Sequence, residues 1–182
     1  MSEKTYLNKE TIDYNKTKII AELKQVRRVG MNKLLEYLDE SRFYIQASST
    51  RHHQAYEGGN AEHSVQVFDI LDEMNYKLSL GIPQESITIC SLLHDICKTD
   101  CYKKTDSGYV WNHDSEPGHG AKSVKIISSF IELTKEEKDA IAYHMGAYEK
   151  QEFGWEDLSQ AYRNNNLSFY LHVADMRSTY GF

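Results

Sequence analysis

No run of apolar residues in this 182-residue chain approaches the length needed to cross a bilayer, so the sequence reading sets aside the membrane-spanning classes. Its first residues, Met1-Ser2-Glu3-Lys4, are polar and lack the apolar stretch of a secretory signal, and a cytoplasmic location is the expectation. Cysteine is scarce. Cys90, Cys97 and Cys101 cannot all pair within one chain, and their spacing of seven and four reads as small core residues on one helical face rather than as a disulfide or zinc framework. Basic charge is in deficit, with 21 lysines and arginines against 27 aspartates and glutamates and a formal net charge of -6. Long nucleic acids bind through neutralisation of their phosphates, so this balance argues against a large nucleic-acid face while leaving room for a small phosphorylated substrate. The chain carries no internal repeat and no low-complexity tract.

What is present is an ordinary globular composition, 40% apolar and 26% charged, at a length that suits one structural domain. Apolar residues recur at three- and four-residue intervals along most of it, which points to an all-α, single-domain helical bundle. The pattern predicts one helix from Ile12 up to the interruption at Gly30 and a second from Met31 to Leu38. These N-terminal helices, residues 1–41, are expected to pack on a main portion spanning residues 42–182. Paired glycines at Gly58-Gly59 precede a helix beginning near Asn60, in which His63, Val67, Ile70 or Leu71, and Met74 share a face. Pro83 opens an almost wholly apolar helix running through Ile87, Leu92 and Ile96. Tyr102–Thr105 and Tyr109–Asn112, joined by a turn, read as a small β-hairpin near residues 102–112. Further helices follow from Pro117-Gly118, from the N-cap Thr134 and on to the Asn164–Asn166 run, and the last spans Leu167 to Thr179.

Within that apolar helix sit His94 and Asp95. Burying an ionisable pair costs several kcal/mol unless a charge partner or a metal compensates it, so the pair reads as half of a metal site. Adjacent helical residues point about 100° apart, and the remaining ligands must therefore come from elsewhere in the chain. His63, His119, His144 and Asp175 are the candidates; taken alone, each reads first as a hydrogen-bonded core histidine or a solvated aspartate. Together, the order of Tyr56-Glu57-Gly58-Gly59, Glu62-His63-Ser64, His94-Asp95 with Lys98, Pro117-Gly118-His119-Gly120 and Asp175 resembles the HD-domain metal-dependent phosphohydrolases over Arg51 to Asp175.

That resemblance implies an HD-type helical domain and a site built from His63, His94, Asp95 and Asp175 as metal ligands. His119 and His144 would either ligate a second ion with Asp95 bridging or donate to substrate, and two ions are favoured because six inward ligand-type side chains exceed what one ion takes. The resemblance also gives Arg51 and Lys98 as phosphate contacts, although a surface charge and a helix-terminal solvated lysine are the plain alternatives. A mixed imidazole and carboxylate set suits Mn, Fe, Co, Ni or Zn, and such an ion lowers the pKa of its water and polarises a phosphoryl oxygen. His94, Asp95, Lys98 and Asp175 are accordingly the expected catalytic residues, and Arg51, Lys98, His119 and His144 the expected substrate contacts. The expected function is hydrolysis of a phosphate ester of a nucleotide or other small phosphorylated metabolite. Exonuclease or phosphodiesterase action on short nucleic acid, or metal-dependent ligand sensing without turnover, stand as alternatives. His52, His53 and His172 read as structural or surface residues, and oligomeric state is left open.

Overall fold

The apolar periodicity becomes a set of helices that share one buried cluster of side chains. The structure, a computed structural model, describes residues 7–148 and 155–181. In chain order its helices are α1 (Lys9–Leu23), α2 (Met31–Glu40), α3 (Gly59–Leu78), α4 (Gln84–Leu93), α5 (His119–Ser128), α6 (Lys135–Ala142), α7 (Trp155–Asn164) and α8 (Asn166–Tyr180). Between α4 and α5 lies an antiparallel hairpin of β1 (Tyr102–Thr105) and β2 (Gly108–Trp111), in which Tyr102 faces Trp111 and Thr105 faces Gly108. The fold is thus all-α apart from this two-stranded sheet, and no helix among the described residues is long and apolar enough to cross a membrane. The mixed segment around Trp155 falls partly on residues 149–154, outside the described residues.

Helix α4 is the axis. Every residue from Ser86 to Leu93 is buried, because α3, α6 and α8 pack around it and α1 covers a further side. Ile19, Leu23, Leu34 and Leu38 from α1 and α2 join Leu71, Ile89, Leu92, Ile141 and Leu171 in the same cluster. Each such side chain contributes about 1.5–3 kcal/mol on burial. The glycine pair before α3 has a steric cause. Gly58 takes φ +82°, and a Cβ at Gly59 would lie 2.0 Å from the carbonyl oxygen of Gln54, so neither position accepts a side chain without moving the loop against which α3 starts. Thr134 caps α6 in a reciprocal arrangement with Glu137.

The first helix is shorter than its periodicity predicts. It stops at Leu23, and the chain turns so that Val26 enters the core and Arg28 reaches Glu137 of α6. Arg28 binds that fully buried carboxylate through both Nη atoms at 2.7 Å, and Ser86 Oγ and the Thr134 backbone N–H donate to it at 2.7 and 2.9 Å. A tertiary ion pair therefore overrides a local propensity. The cysteines are all buried, as expected of core residues, but on different elements: Cys90 on α4, Cys97 in the 3₁₀ turn Ile96–Thr99, and Cys101 just before β1.

Burial pushes the Glu137 carboxyl up, and the bonds from Arg28, Ser86 and Thr134 outweigh it, leaving the group below its ordinary value. A carboxylate depressed in the folded state adds stability that is full above its unfolded pKa and fades as pH falls through the folded one. Arg28→Ala should therefore lower unfolding free energy at neutral pH by about 3 kcal/mol, since it strands a buried charge. It should also flatten the loss of stability between neutral and acid pH, both read from denaturant midpoints across a pH series.

Candidate metal centre

The site is assembled from helix ends. The sequence pattern carries His94 and Asp95 inside one helix, but α4 ends at Leu93; His94 is its C-cap and Asp95, at φ -105° and ψ 20°, leads into the 3₁₀ turn. Likewise His144 lies two residues beyond α6 rather than within it. The last carbonyls of a helix have no intrahelical partner, and both histidines use one: His94 Nδ1 donates to Ser91 O at 2.8 Å and His144 Nδ1 to Ile141 O at 2.7 Å. In the neutral form of either ring this contact places the proton on Nδ1 and makes Nε2 a bare lone pair. The partial negative ends of α4 and α6 also lie beside the site, where they favour a cation.

His63, from the first turns of α3, arrives at the same place. Its Nδ1 lies 2.9 Å from Ser178 Oγ, whose own proton goes to Gln66 Oε1 at 2.9 Å, so the hydroxyl accepts from the ring. His119 opens α5, with Nδ1 3.2 Å from Cys97 Sγ. The four Nε2 atoms then converge on one carboxylate. His63 and His94 lie 3.7 and 3.3 Å from Asp95 Oδ2, and His119 and His144 lie 3.3 and 3.6 Å from Asp95 Oδ1. Asp175 of α8 places Oδ1 3.0 Å from His63 Nε2.

This arrangement fits a metal better than it fits a hydrogen-bond network. The Nε2 atoms of His63 and His94 face each other at 3.3 Å, although Nδ1 of each ring already has a partner for its proton. Asp95 Oδ1 and His144 Nε2 are buried without any hydrogen-bond partner. Two lone pairs and an orphaned carboxylate oxygen in a dry interior are unfavourable unless a cation compensates them. Two sets of atoms lie close enough to hold an ion, His63 with His94 and Asp95, and Asp95 with His119 and His144. Asp95 belongs to both.

The charges around the centre follow from this geometry. Burial pushes the Asp95 carboxyl up, but Lys98, His94 and His144 outweigh it and hold it well below the usual carboxylate range. Lys98 is the direct partner: its buried ammonium lies 2.6 Å from Asp95 Oδ2 and 3.2 Å from Ser48 Oγ. Burial would lower the lysine, yet Asp95 raises it above its ordinary value. Burial brings the His119 imidazole down to about 3, against the pull of Asp95, and the ring stays neutral.

The structure brings His63, His94, Asp95, Lys98, His119, His144 and Asp175 together. Arg51 stays exposed in the loop before α3 and makes no ion pair among the described residues. The other basic residues near the motif are engaged elsewhere: Lys103 with Asp114, Lys104 with Glu57 and Lys122 with Asp100. His172 hydrogen-bonds the His144 carbonyl at 2.6 Å, outside the cluster. Four contributors escape the sequence reading. Ser178 and Cys97 contact the Nδ1 atoms of His63 and His119, and no spacing signals them because each acts across the fold. Gln66, one turn after His63, and half-buried His53, whose ring centroid is 5.1 Å from that of His63, complete the surroundings.

Two substitutions test the arrangement. Asp95→Ala should abolish binding of every ion, whereas His144→Ala should lower the bound stoichiometry and spare the set containing His63, as read by elemental analysis of dialysed protein. Gly120 lies where α5 crosses the end of α6, and a Cβ there would sit 2.3 Å from Ala142 O. Gly120→Ala should therefore cost about 1–3 kcal/mol, seen in the unfolding midpoint, and weaken metal retention by parting His119 from His144.

Among comparisons with known proteins, the family model described as HD domain matches residues 60–178, a span that contains His63, His94, Asp95, His119, His144 and Asp175. No curated protein and no solved structure matches the chain. The matched span is more than half of the chain, and the chain belongs to the HD-domain family, whose members are in general metal-dependent hydrolases.

Proposed function

We propose that the protein is a metal-dependent phosphohydrolase that cleaves a phosphate ester of a nucleotide or another small phosphorylated metabolite. The observation that carries this reading is the convergence of four imidazole Nε2 atoms on the two oxygens of Asp95, with Lys98 beside them. His63, His94, Asp95 and Asp175 would hold one divalent ion of the Mn, Fe, Co, Ni or Zn type, and Asp95, His119 and His144 a second. Bound there, such ions supply Lewis acidity to a phosphoryl oxygen and a nucleophilic water at neutral pH.

The chain's own residues account for the rest. Asp95 is kept ionised by Lys98, so its two oxygens remain available on both sides. Asp175 has Oδ1 3.0 Å from His63 Nε2, on the side where the ion would lie, so its second carboxylate oxygen is left to orient the attacking water and take its proton. Lys98 also places a fixed positive charge where a phosphoryl group would gain negative charge. His119, the most exposed of the cluster, is set to donate towards the ester oxygen or to ligate, and Arg51 is free at the surface to meet a phosphate. The acidic surface and the pairing of Lys103, Lys104 and Lys122 with carboxylates favour a small substrate over a long nucleic acid.

The test is a panel of nucleoside monophosphates, cyclic nucleotides, bis-p-nitrophenyl phosphate and short oligonucleotides, assayed with Mn, Fe, Co, Ni or Zn in turn. A small phosphate ester should be turned over, chelation should abolish the rate and added metal restore it. Asp175→Asn should lower kcat by about 10²–10⁴-fold. Silence across the whole panel with metal fully bound would sink the proposal.

A further inference from the structure

The hairpin takes no part in the metal centre, yet it is fixed firmly beside it. Gln46 Nε2 donates to Tyr102 O at 3.0 Å, Asn112 N to Cys101 O at 2.8 Å and Asn112 Nδ2 to Asp100 O at 2.8 Å. So anchored, β1 and β2 set Tyr102 edge-on to Trp111, with ring centroids 5.8 Å apart, on one wall of a cavity of about 290 Å³. That volume is near the lower end of the ~300–1,000 Å³ typical of small-molecule sites. Met145 and Tyr148 line it as well, and Glu116 contributes a carboxylate. His119 also lines it, and the same ring reaches Asp95.

That shared residue decides where the centre opens. The His119 side chain is 19% exposed, against 9% for Asp175 and 2% or less for His63, His94, Asp95 and His144. A substrate whose phosphate lies at the ions therefore has the cavity as the next space for its organic part. Trp111 is 42% exposed and Tyr148 64%, so both rings keep accessible surface at this cavity. Aromatic side chains with a free face hold flat rings by stacking, at little conformational cost.

We propose that this cavity is the seat of the substrate's heteroaromatic ring, and hence that the ester is a nucleoside phosphate with its base against Trp111 and its phosphate at the metal centre. The inference rests on the phosphohydrolase reading for its phosphate end only. Aromatic walls alone would equally suit an aliphatic tail, but Glu116 does not. Its carboxylate stands at the rim, 57% exposed and bonded to Lys125 through both oxygens at 2.8 and 2.9 Å, and each oxygen keeps a further lone pair that an edge N–H of a base can fill and a hydrocarbon cannot use. Lys103 and Lys104 on the same hairpin are neutralised by Asp114 and Glu57, so the hairpin selects by stacking rather than by charge. Trp111 and Glu116 are specificity determinants in this scheme, and neither touches the reacting phosphorus.

Calorimetric titration with guanosine, adenosine and ribose 5-phosphate separates the ring from the phosphate. Both nucleosides should bind the wild-type protein although they carry no phosphate. Trp111→Ala should weaken them about 10- to 100-fold, the effect of one lost stacking contact; Trp111→Phe should restore most of the affinity. The preference in kcat/KM for a nucleoside monophosphate over ribose 5-phosphate should fall by a similar factor in Trp111→Ala. Because Trp111 is half exposed, its circular dichroism and melting should match wild type. Absence of nucleoside binding by the wild type, or affinity unchanged in Trp111→Ala, would overturn the assignment. A protein that binds nucleosides but hydrolyses no ester would remove the phosphohydrolase reading and leave the ring site standing. Equal turnover of ribose 5-phosphate and nucleotides would do the reverse.

Discussion

A single buried carboxylate, Asp95, is the point to which the electrostatics of the interior refer. One of its oxygens is neutralised by Lys98 at 2.6 Å; the other faces His119 and His144 with no hydrogen bond at all. In a dry interior an ionised carboxylate persists only among compensating groups. The protein supplies one compensating cation from its own chain and directs four imidazole Nε2 atoms at the two oxygens, His63 and His94 at Oδ2 and His119 and His144 at Oδ1. His63, His94 and His144 cannot relieve one another, because each has an Nδ1 partner that accepts the ring proton. A divalent ion held there would relieve the carboxylate and the lone pairs together.

The tautomers are set by backbone geometry more than by side-chain partners. His94 and His144 both sit where a helix has just ended, and both borrow the carbonyl three residues earlier that the helix no longer uses. The termini of α4 and α6 thus serve three purposes: they hold the rings, choose the protonated nitrogen and direct negative dipole ends towards the cation site. Close approach between elements then sets the separations. Gly120 lets α5 meet the end of α6 backbone to backbone, which is why His119 and His144 can share Asp95 Oδ1. Arg28 clamps the start of the chain to Glu137 on α6, so even the N-terminal helices bear on the placement of His144.

A net charge of -6 and a phosphate-binding role are compatible because the positive charge is local and the acidic excess lies at the surface. Of the lysines around the motif, only Lys98 is buried against a centre carboxylate; Lys103, Lys104 and Lys122 are spent on Asp114, Glu57 and Asp100. The region beyond His119 is instead aromatic. Recognition of the organic half of a ligand would thus fall to ring faces on a rigid hairpin, while the phosphate half is left to the ions and Lys98.

The helices, the hairpin and the set of ligand-type residues were legible in the sequence because they depend on local chemistry. Apolar spacing marks a buried face, paired glycines mark a tight start, and a histidine beside an aspartate in an apolar stretch marks an uncompensated charge. Where helices stop was not legible: α1 ends early because Arg27 and Arg28 meet partners 58 and 109 residues away in sequence, and α4 ends before His94, whose ring takes the Ser91 carbonyl. The same limit hid Ser178 and Cys97, whose roles exist only once α8 lies beside α3 and the 3₁₀ turn beside α5. Sequence alone determined which side chains were available to bind a cation. Tertiary packing decided which nitrogen of each ring faces Asp95, which oxygen stays unpaired and which lysine reaches it, because those are properties of distances between segments and no single segment contains them.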